Sequence, residues 1–324
     1  LGVITSPFLL LFFDIMTKNT HLEHPEDVIL SGDLTVLNWF NSTDVWTNCN
    51  LSAKIDGSPA IVWGTNPSTG NYFVGTKSVF NKKLIKINES HEDIDKNHTG
   101  NVATILHECF DYLPQTDGIF QGDFIGFGGD DCYQPNTITY YFPEIVTHKI
   151  IIAPHTYYTA EKDLRDAIAH PMEDFYFDNR NQSDVLWFQP YSTIQDSTED
   201  IKNRCKFARQ IATLCQFPNA KQVTRIKKQL NSCIRHNIDL DDITLEALAH
   251  DNKCDINVLR LWKLVASIKI DLLLLITTDH DVECYIEEER CGHEGYVLSN
   301  EFGTFKVVNR YGFSRANFNL SKMR

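Results

Sequence analysis

Apolar positions along this chain change period twice. Between about residues 51 and 155 they fall in short runs bounded by turn residues, the spacing of strands. Ser52–Ile55 is extended, and Asp56-Gly57-Ser58-Pro59 turns the chain. Ala60–Trp63 and Tyr72–Gly75 flank the turn Asn66-Pro67-Ser68-Thr69-Gly70 and read as an antiparallel hairpin. Gly118–Phe127, Thr137–Phe142 and Lys149–Ala153 supply three more strands. One stretch inside this block, Val102–Tyr112, has helical spacing, with Val102, Ile105, Leu106 and Cys109 on one side. Ahead of it, residues 22–50 mix a short amphipathic segment, Val28–Phe40, with polar turns.

From about 160 to 270 the period becomes helical. Leu164–His170 predicts a short helix closed by Pro171. Glu199–Phe217 predicts a long amphipathic helix, and Ala220–His236 and Leu245–Ile268 predict two more. Leu272–Thr277 fits either state. Strand spacing returns at Gly295–Leu298 and Thr304–Val308. The expectation is an α+β chain: a lead-in over 1–50, a β-rich core over 51–159 and 271–324, and an inserted helical subdomain over 160–270. The apolar run Phe8–Ile15 is shorter than the roughly 20 residues a membrane span needs, and no other run is longer. No membrane partner is expected. Met16 looks like a natural start, so residues 1–15 read either as an upstream extension or as a buried helix or strand.

Composition narrows the function classes. Hydrophobic types at 42% and charged types at 23% exclude a disordered tail or a fibre. A net charge of -13 excludes a wholly basic nucleic-acid coat but leaves room for a local basic groove. Such a groove is suggested by Lys202, Arg204, Lys206, Arg209, Lys221, Arg225, Lys227 and Lys228, although the same residues also suit the solvated faces of amphipathic helices. Nine cysteines without a CxxC pair fit reduced thiols and an intracellular site better than a disulfide or zinc scaffold. The sequons at Asn41, Asn88 and Asn97 read as chance triplets. His21 and His24, with Glu23 and Asp27 nearby, suit a helix cap or a metal site. GxSxG is absent, and Gly126-Phe127-Gly128-Gly129 lacks the lysine of a phosphate loop and reads as a tight loop.

Lys54-Ile55-Asp56-Gly57 carries the most chemistry. On a strand Lys54 and Asp56 share a face. Gly57 lets the chain turn sharply beside a bulky ligand. A lysine there, once its pKa falls from about 10.4, is able to attack the α-phosphate of a nucleoside triphosphate. The alternative is a surface turn after an exposed lysine. Downstream stand Gln121-Gly122-Asp123 at a strand, Glu294-Gly295 before Tyr296-Val297-Leu298, and Lys306 in Phe305-Lys306-Val307-Val308.

That order resembles motifs I, III, IV and V of the covalent nucleotidyltransferase superfamily: ATP-dependent DNA ligases, RNA ligases and mRNA capping enzymes. The resemblance covers about residues 50–155 and 290–310. It implies an antiparallel-sheet nucleotidyltransferase core (the ATP-grasp-like ligase catalytic type) with a helical insertion. Carried over, Lys54 is the nucleophile, Asp56 orients lysine and metal, Asp123 contacts ribose or metal, Glu294 organises metal and phosphate, and Lys306 contacts the α-phosphate. Lys77, in Gly75-Thr76-Lys77-Ser78, matches a phosphate-binding segment. Tyr157 is the candidate for stacking on the base, and reads equally as a core aromatic. The implied metal ligands are Asp56, Asp123 and Glu294, and the implied cofactors are ATP and Mg²⁺ or Mn²⁺.

Three departures from the pattern stand out. Val308 occupies the place of the second motif V lysine, leaving Arg310 or Lys77 to supply that charge. Asp123 is shorter than the usual glutamate. The chain after Arg310 has no room for the C-terminal OB domain of DNA ligases and capping enzymes, which shifts weight toward RNA ligases. A separate nucleic-acid-binding partner would then replace that domain. Thr20–Asp27, Asp56–Ala60, Phe73–Ser78, Gln121–Asp123, Gln134–Ile138 and the tail from Asn309 to Phe318 are also similar to ligase-like proteins of tailed bacteriophages, which implies the host cytoplasm. The implied activity is an ATP-dependent polynucleotide ligase, RNA most of all, acting through lysyl-AMP on a 5′-phosphate end held by residues 202–228. Two alternatives remain: an adenylyltransferase to a protein or small molecule, and a non-catalytic phage structural or scaffold protein keeping the fold.

Overall fold

The computed structural model describes residues 22–41, 49–172, 177, 184–194 and 199–313. His21 and residues 1–15 lie outside them. The fold is α+β with antiparallel sheets, the single parallel pairing among the described residues being a short edge strand.

A small three-stranded sheet joins β1 (Asn50–Lys54), β14 (Gly295–Asn300) and β15 (Gly303–Val308), with β14 in the middle. The row Leu51, Leu298 and Phe305 crosses all three strands and is buried, together with Val307, against helices. Strand alternation therefore turns Lys54 and Lys306 to the other face. The helical layer holds α1 (Pro25–Val28), α2 (Thr35–Asn41), α5 (Glu199–Ala212), α6 (Ala220–Arg235), α7 (Asp242–Asn252) and α8 (Ile256–Leu274). Helices and small sheet share one core, so residues 25–41 are part of it rather than a lead-in.

A larger sheet of six strands runs β3 (Tyr72–Gly75), β2 (Ala60–Thr65), β4 (Ile119–Phe127), β7 (Ile150–Thr159) and β8 (Ile168–Pro171), with β9 (Val185–Trp187) parallel to β7. Trp63, Phe120, Phe124 and Trp187 on one face pack with α4 (Gly100–Tyr112), beside α3 (His91–Asn97). The other face carries Val62, Ile119 and Tyr158. A four-stranded sheet of β5 (Cys132–Tyr133), β6 (Thr139–Tyr141), β12 (Glu283–Ile286) and β13 (Glu289–Cys291) and the ribbon of β10 (Tyr191–Ile194) with β11 (Ile276–Asp279) complete it.

Several expectations change. The turn at Asp56–Pro59 carries the chain from the small sheet, where β1 pairs with β14, to the large one. Leu164–His170 is not a helix. Asp163 caps a single 3-10 turn, Leu164–Asp166, and Ile168–Pro171 then fills the open edge of β7, whose unpaired backbone groups need partners. The helical stretch accordingly starts at Glu199 and ends at Leu274. Leu245–Ile268 is two helices, because Lys253 takes a left-handed φ of 50° and Asp255 starts a new helix by capping Asn257.

Four charges sit inside the helical layer. Glu26, Asp27, Lys269 and Arg310 are each at most 5% exposed. Lys269 Nζ donates to Glu26 Oε1 at 2.6 Å, and Arg310 donates to Glu26 and Asp27 at 3.0 Å each. Trp262 Nε1 donates to Asp27 at 2.9 Å, and Arg310 also binds Asn231. Two acids balance two cations, which makes their loss of hydration bearable. Removing one partner strands the others. Lys269→Met is expected to lower stability by about 3–5 kcal/mol in urea unfolding, while Glu26→Gln added to it recovers part of that loss.

Candidate functional site

Lys54 is the last residue of β1, opposite Gly295 at the start of β14. Glu294 immediately precedes Gly295, so the pairing register alone brings the two side chains to one spot. Lys54 Nζ and the Glu294 carboxylate are in direct hydrogen-bonded contact. Lys54 is one-third exposed and Glu294 mostly buried. Burial pushes the Glu294 carboxyl above its ordinary range. Lys54 pulls it back down, while Asp56 and Asp123, both within electrostatic reach, push it up again. Lys306 lies one strand further on, opposite Val297 and on the same sheet face as Lys54. Its pKa is lowered, first by burial and then by Lys54, with Glu294 opposing. Gly295 allows the close packing of these strands: its φ is 151°, and a Cβ there would stand 2.4 Å from the Val307 carbonyl oxygen.

Asp56 has a different task from the one expected. Its Oδ2 accepts from the backbone N–H groups of Thr137 and Ile138 at 2.7 and 3.0 Å, and its Oδ1 from Asn136 at 2.8 Å. Its own N–H donates to the Tyr140 hydroxyl at 2.7 Å. This buried carboxylate pins the crossover after Lys54 to the segment leading into β6, and its oxygens are already engaged. Gly57 lies against the large sheet, where a Cβ would meet Asp123 Cβ at 2.7 Å and the Phe124 carbonyl oxygen at 2.9 Å. The missing side chain thus lets Asp123 stand beside the crossover. His155 Nε2 lies 3.7 Å from Asp123 and 3.3 Å from Gln121, and is a site neighbour that strand spacing does not single out.

Lys54, Asp56, Asp123, Glu294 and Lys306 therefore form one cluster between the small and large sheets. Lys77 is exposed in a 3-10 turn after β3; Gly75 pairs with Val62, so Lys77 emerges at the end of the sheet where Ala60 pairs with Asp123. Tyr157 is not brought to the cluster. Its cross-strand partner is Phe120, on the Trp63 face, whereas Asp123 points to the opposite face, and its ring stacks on His170 at 4.7 Å. Arg310 does not supply the missing motif V charge, since the buried acids already hold it.

The acids also differ from the expected metal cage. Among the described residues no three His, Cys, Asp or Glu side chains gather to hold a metal ion, and Asp56 is spent on backbone donors. Asp123 and Glu294 remain. One or two carboxylates together with substrate phosphates is a common way to hold Mg²⁺.

The basic stretch is divided. Arg204 binds Asp271 and Ser267, Arg209 binds Asn38, Arg225 reaches Asn252 at 2.6 Å, and Lys227 reaches Glu23 at 3.1 Å. Half of the eight cations thus tie helices together, and Lys206, Lys221 and Lys228 remain exposed. His24 stands at the N-terminal cap position of α1, but its side chain makes no capping hydrogen bond. Among the described residues no helix is long and apolar enough to cross a membrane.

Two outcomes are expected. Asp56→Ala leaves the Thr137 and Ile138 N–H groups buried without an acceptor and should cost about 2–5 kcal/mol in urea unfolding. Glu294 binds its proton more tightly folded than unfolded, so its contribution is most favourable below the ordinary value of 4.5 and declines as pH rises through the raised one. Urea midpoints of wild type should therefore fall more than those of Glu294→Gln between mildly acidic and neutral pH.

A family model described as a family of unknown function, DUF6267, matches residues 19–246 and 238–322. No curated protein and no solved structure matches the chain. With all but its two ends covered by those two segments, the chain belongs to the DUF6267 family.

Proposed function

We propose that this protein is an ATP-dependent nucleotidyltransferase that forms a covalent lysyl-AMP on Lys54 and passes the AMP to a polynucleotide 5′-phosphate, as an RNA ligase does. The observation that carries this reading is the contact between Lys54 and Glu294, with Lys306 on the same sheet face. A nucleophilic lysine needs a nearby acceptor for its proton and a nearby cation for the phosphate it attacks.

In the first half-reaction Lys54 Nζ gives a proton to the Glu294 carboxylate, whose raised pKa makes it a better base than an exposed glutamate. The nitrogen forms a bond to the α-phosphorus, the bond from that phosphorus to the bridging oxygen breaks, and pyrophosphate leaves, taking up the second proton that the nitrogen sheds. Lys306 faces the charge that develops on the α-phosphate oxygens. Bound with the nucleotide, Mg²⁺ would supply further charge neutralisation, and Asp123 would hold it once Glu294 has taken the proton. Asp56 acts at a distance, by fixing the backbone that aims Lys54. In the second half-reaction a 5′-phosphate oxygen attacks the lysyl-bound phosphorus, releasing Lys54. A 3′-hydroxyl then displaces AMP and seals the strand.

One observation favours another acceptor. Half of the cations in residues 202–228 are engaged within the protein, which leaves less charge to hold a phosphate backbone. The second reading is therefore transfer of AMP from the same lysine to a protein or small molecule.

Incubation with ATP and Mg²⁺ should add about 329 Da, the mass of one AMP joined through a phosphoramidate, as read by intact mass spectrometry. Lys54→Ala and Lys54→Arg should abolish the adduct, and Lys306→Ala should slow it at least about tenfold. An adduct retained in folded Lys54→Ala overturns the assignment. Faster discharge by 5′-phosphorylated RNA than by water separates the ligase from the second reading.

A further inference from the structure

A cavity of about 390 Å³ opens between the lead into α1, helix α6 and strand β15. Lys306 is the residue that it shares with the Lys54 cluster. Its wall carries Lys227, Arg235, Lys306 and Arg310, against the two acids Glu23 and Asp27. Lys227 is matched by Glu23 at 3.1 Å, and Arg310 by Asp27 and Glu26 at 3.0 Å. Lys306 Nζ and the Arg235 guanidinium have no hydrogen-bonded acid among the described residues, so the wall carries four cations against two acids in a chain of net charge -13.

Arg235 has an ordinary use in the last turn of α6, where a cation suits the helix dipole. Lys306 has none of that kind: it is on a strand, half-buried, with Lys54 and Arg310 near it and Glu294 and Asp27 opposing them through space without a hydrogen bond to it. Leaving such a group unpaired costs free energy unless something of opposite charge arrives. His24 adds a directional feature. Its Nδ1 is buried without a hydrogen-bond partner, and burial followed by the Arg310, Lys269, Lys306 and Lys227 charges holds the ring neutral. A neutral imidazole offers one N–H to an anion without adding charge.

We infer that this cavity binds a phosphoryl anion carrying at least two negative charges, held by Lys306, Arg235 and Lys227 with a hydrogen bond from His24. A carboxylate would satisfy one cation, whereas a polyphosphate presents several oxygens to cations on separate elements. The volume is ample for such a group. Lys306 joins this cavity to the Lys54 cluster, so the ligand is either the phosphate tail of a nucleotide or the phosphorylated end of a polynucleotide. The binding itself does not rest on the chemistry proposed for Lys54.

Inorganic pyrophosphate is the probe, titrated calorimetrically into the full-length protein at constant ionic strength with sodium chloride as the control. Saturable binding is expected, weakened at least about tenfold by Arg235→Ala and by Lys227→Ala, and partly restored by Arg235→Lys. Arg235 is exposed and Lys227 partly so, and each variant's melting temperature without ligand checks its folding. Lys54→Ala should bind pyrophosphate as wild type does, so loss of the adduct and loss of this site are distinguishable. Displacement of pyrophosphate by a 5′-phosphorylated oligonucleotide, but not by its 5′-hydroxyl counterpart, identifies a polynucleotide end. Displacement by ATP but by neither oligonucleotide identifies a nucleotide tail. No binding of pyrophosphate, or binding unchanged in both alanine variants, overturns the inference.

Discussion

Glu26, Asp27, Lys269 and Arg310 meet where almost no water reaches, and the arrangement of the helical layer on the small sheet depends on that meeting. The partners come from opposite ends of the chain: Lys269 is 243 positions from Glu26, and Arg310 is 284. Each ion is tolerable only while the others are present, since isolated burial of any of them costs far more than a surface pair returns. The network therefore acts as an all-or-none clamp that joins α1, α8 and the residues just after β15.

That clamp bears directly on the site. β15 carries Lys306 four residues before Arg310, and the Lys306 N–H donates to the Glu23 carbonyl just ahead of α1. Holding α1 against α8 thus holds the edge of the small sheet, and with it the lysine that faces Lys54. The same anchoring uses up Arg310, which therefore adds no charge to the Lys54 and Lys306 cluster.

Asp56 plays the corresponding part on the other side of the cleft. The three hydrogen bonds of its carboxylate join the crossover after β1 to the approach to β6, and the close packing of Gly57 on Asp123 brings the large sheet into register with the small one. Lys54 and Glu294 are matched by strand pairing, whereas Asp123 is matched by the path of the crossover. The cluster is thus assembled by backbone geometry from both sheets.

Strands β1–β4, β6, β7, β14 and β15 and the helical stretch from Glu199 onward, apart from its break at Lys253, are legible in the sequence, because period-two and period-3.6 burial leave their mark on neighbouring residues. So is the local character of Lys54-Ile55-Asp56-Gly57, a strand end followed by a turn. Short-range patterns do not contain the alternatives that long-range pairing decides. Ile168–Pro171 became a strand because β7 had an open edge. Tyr157 took the face of Phe120 because the register with β4 set its parity. Arg225 and Arg204 look like surface cations until Asn252 and Asp271 arrive from distant helices. Asp56 reads as a metal ligand until Asn136, Thr137 and Ile138 occupy its oxygens. The sequence by itself determined which residues prefer strand, helix or turn, since that preference is local. Only the tertiary structure decided which charges meet, because an ion pair or a buried hydrogen bond depends on distance through space and on the exclusion of water, neither of which is written in the spacing of one chain segment.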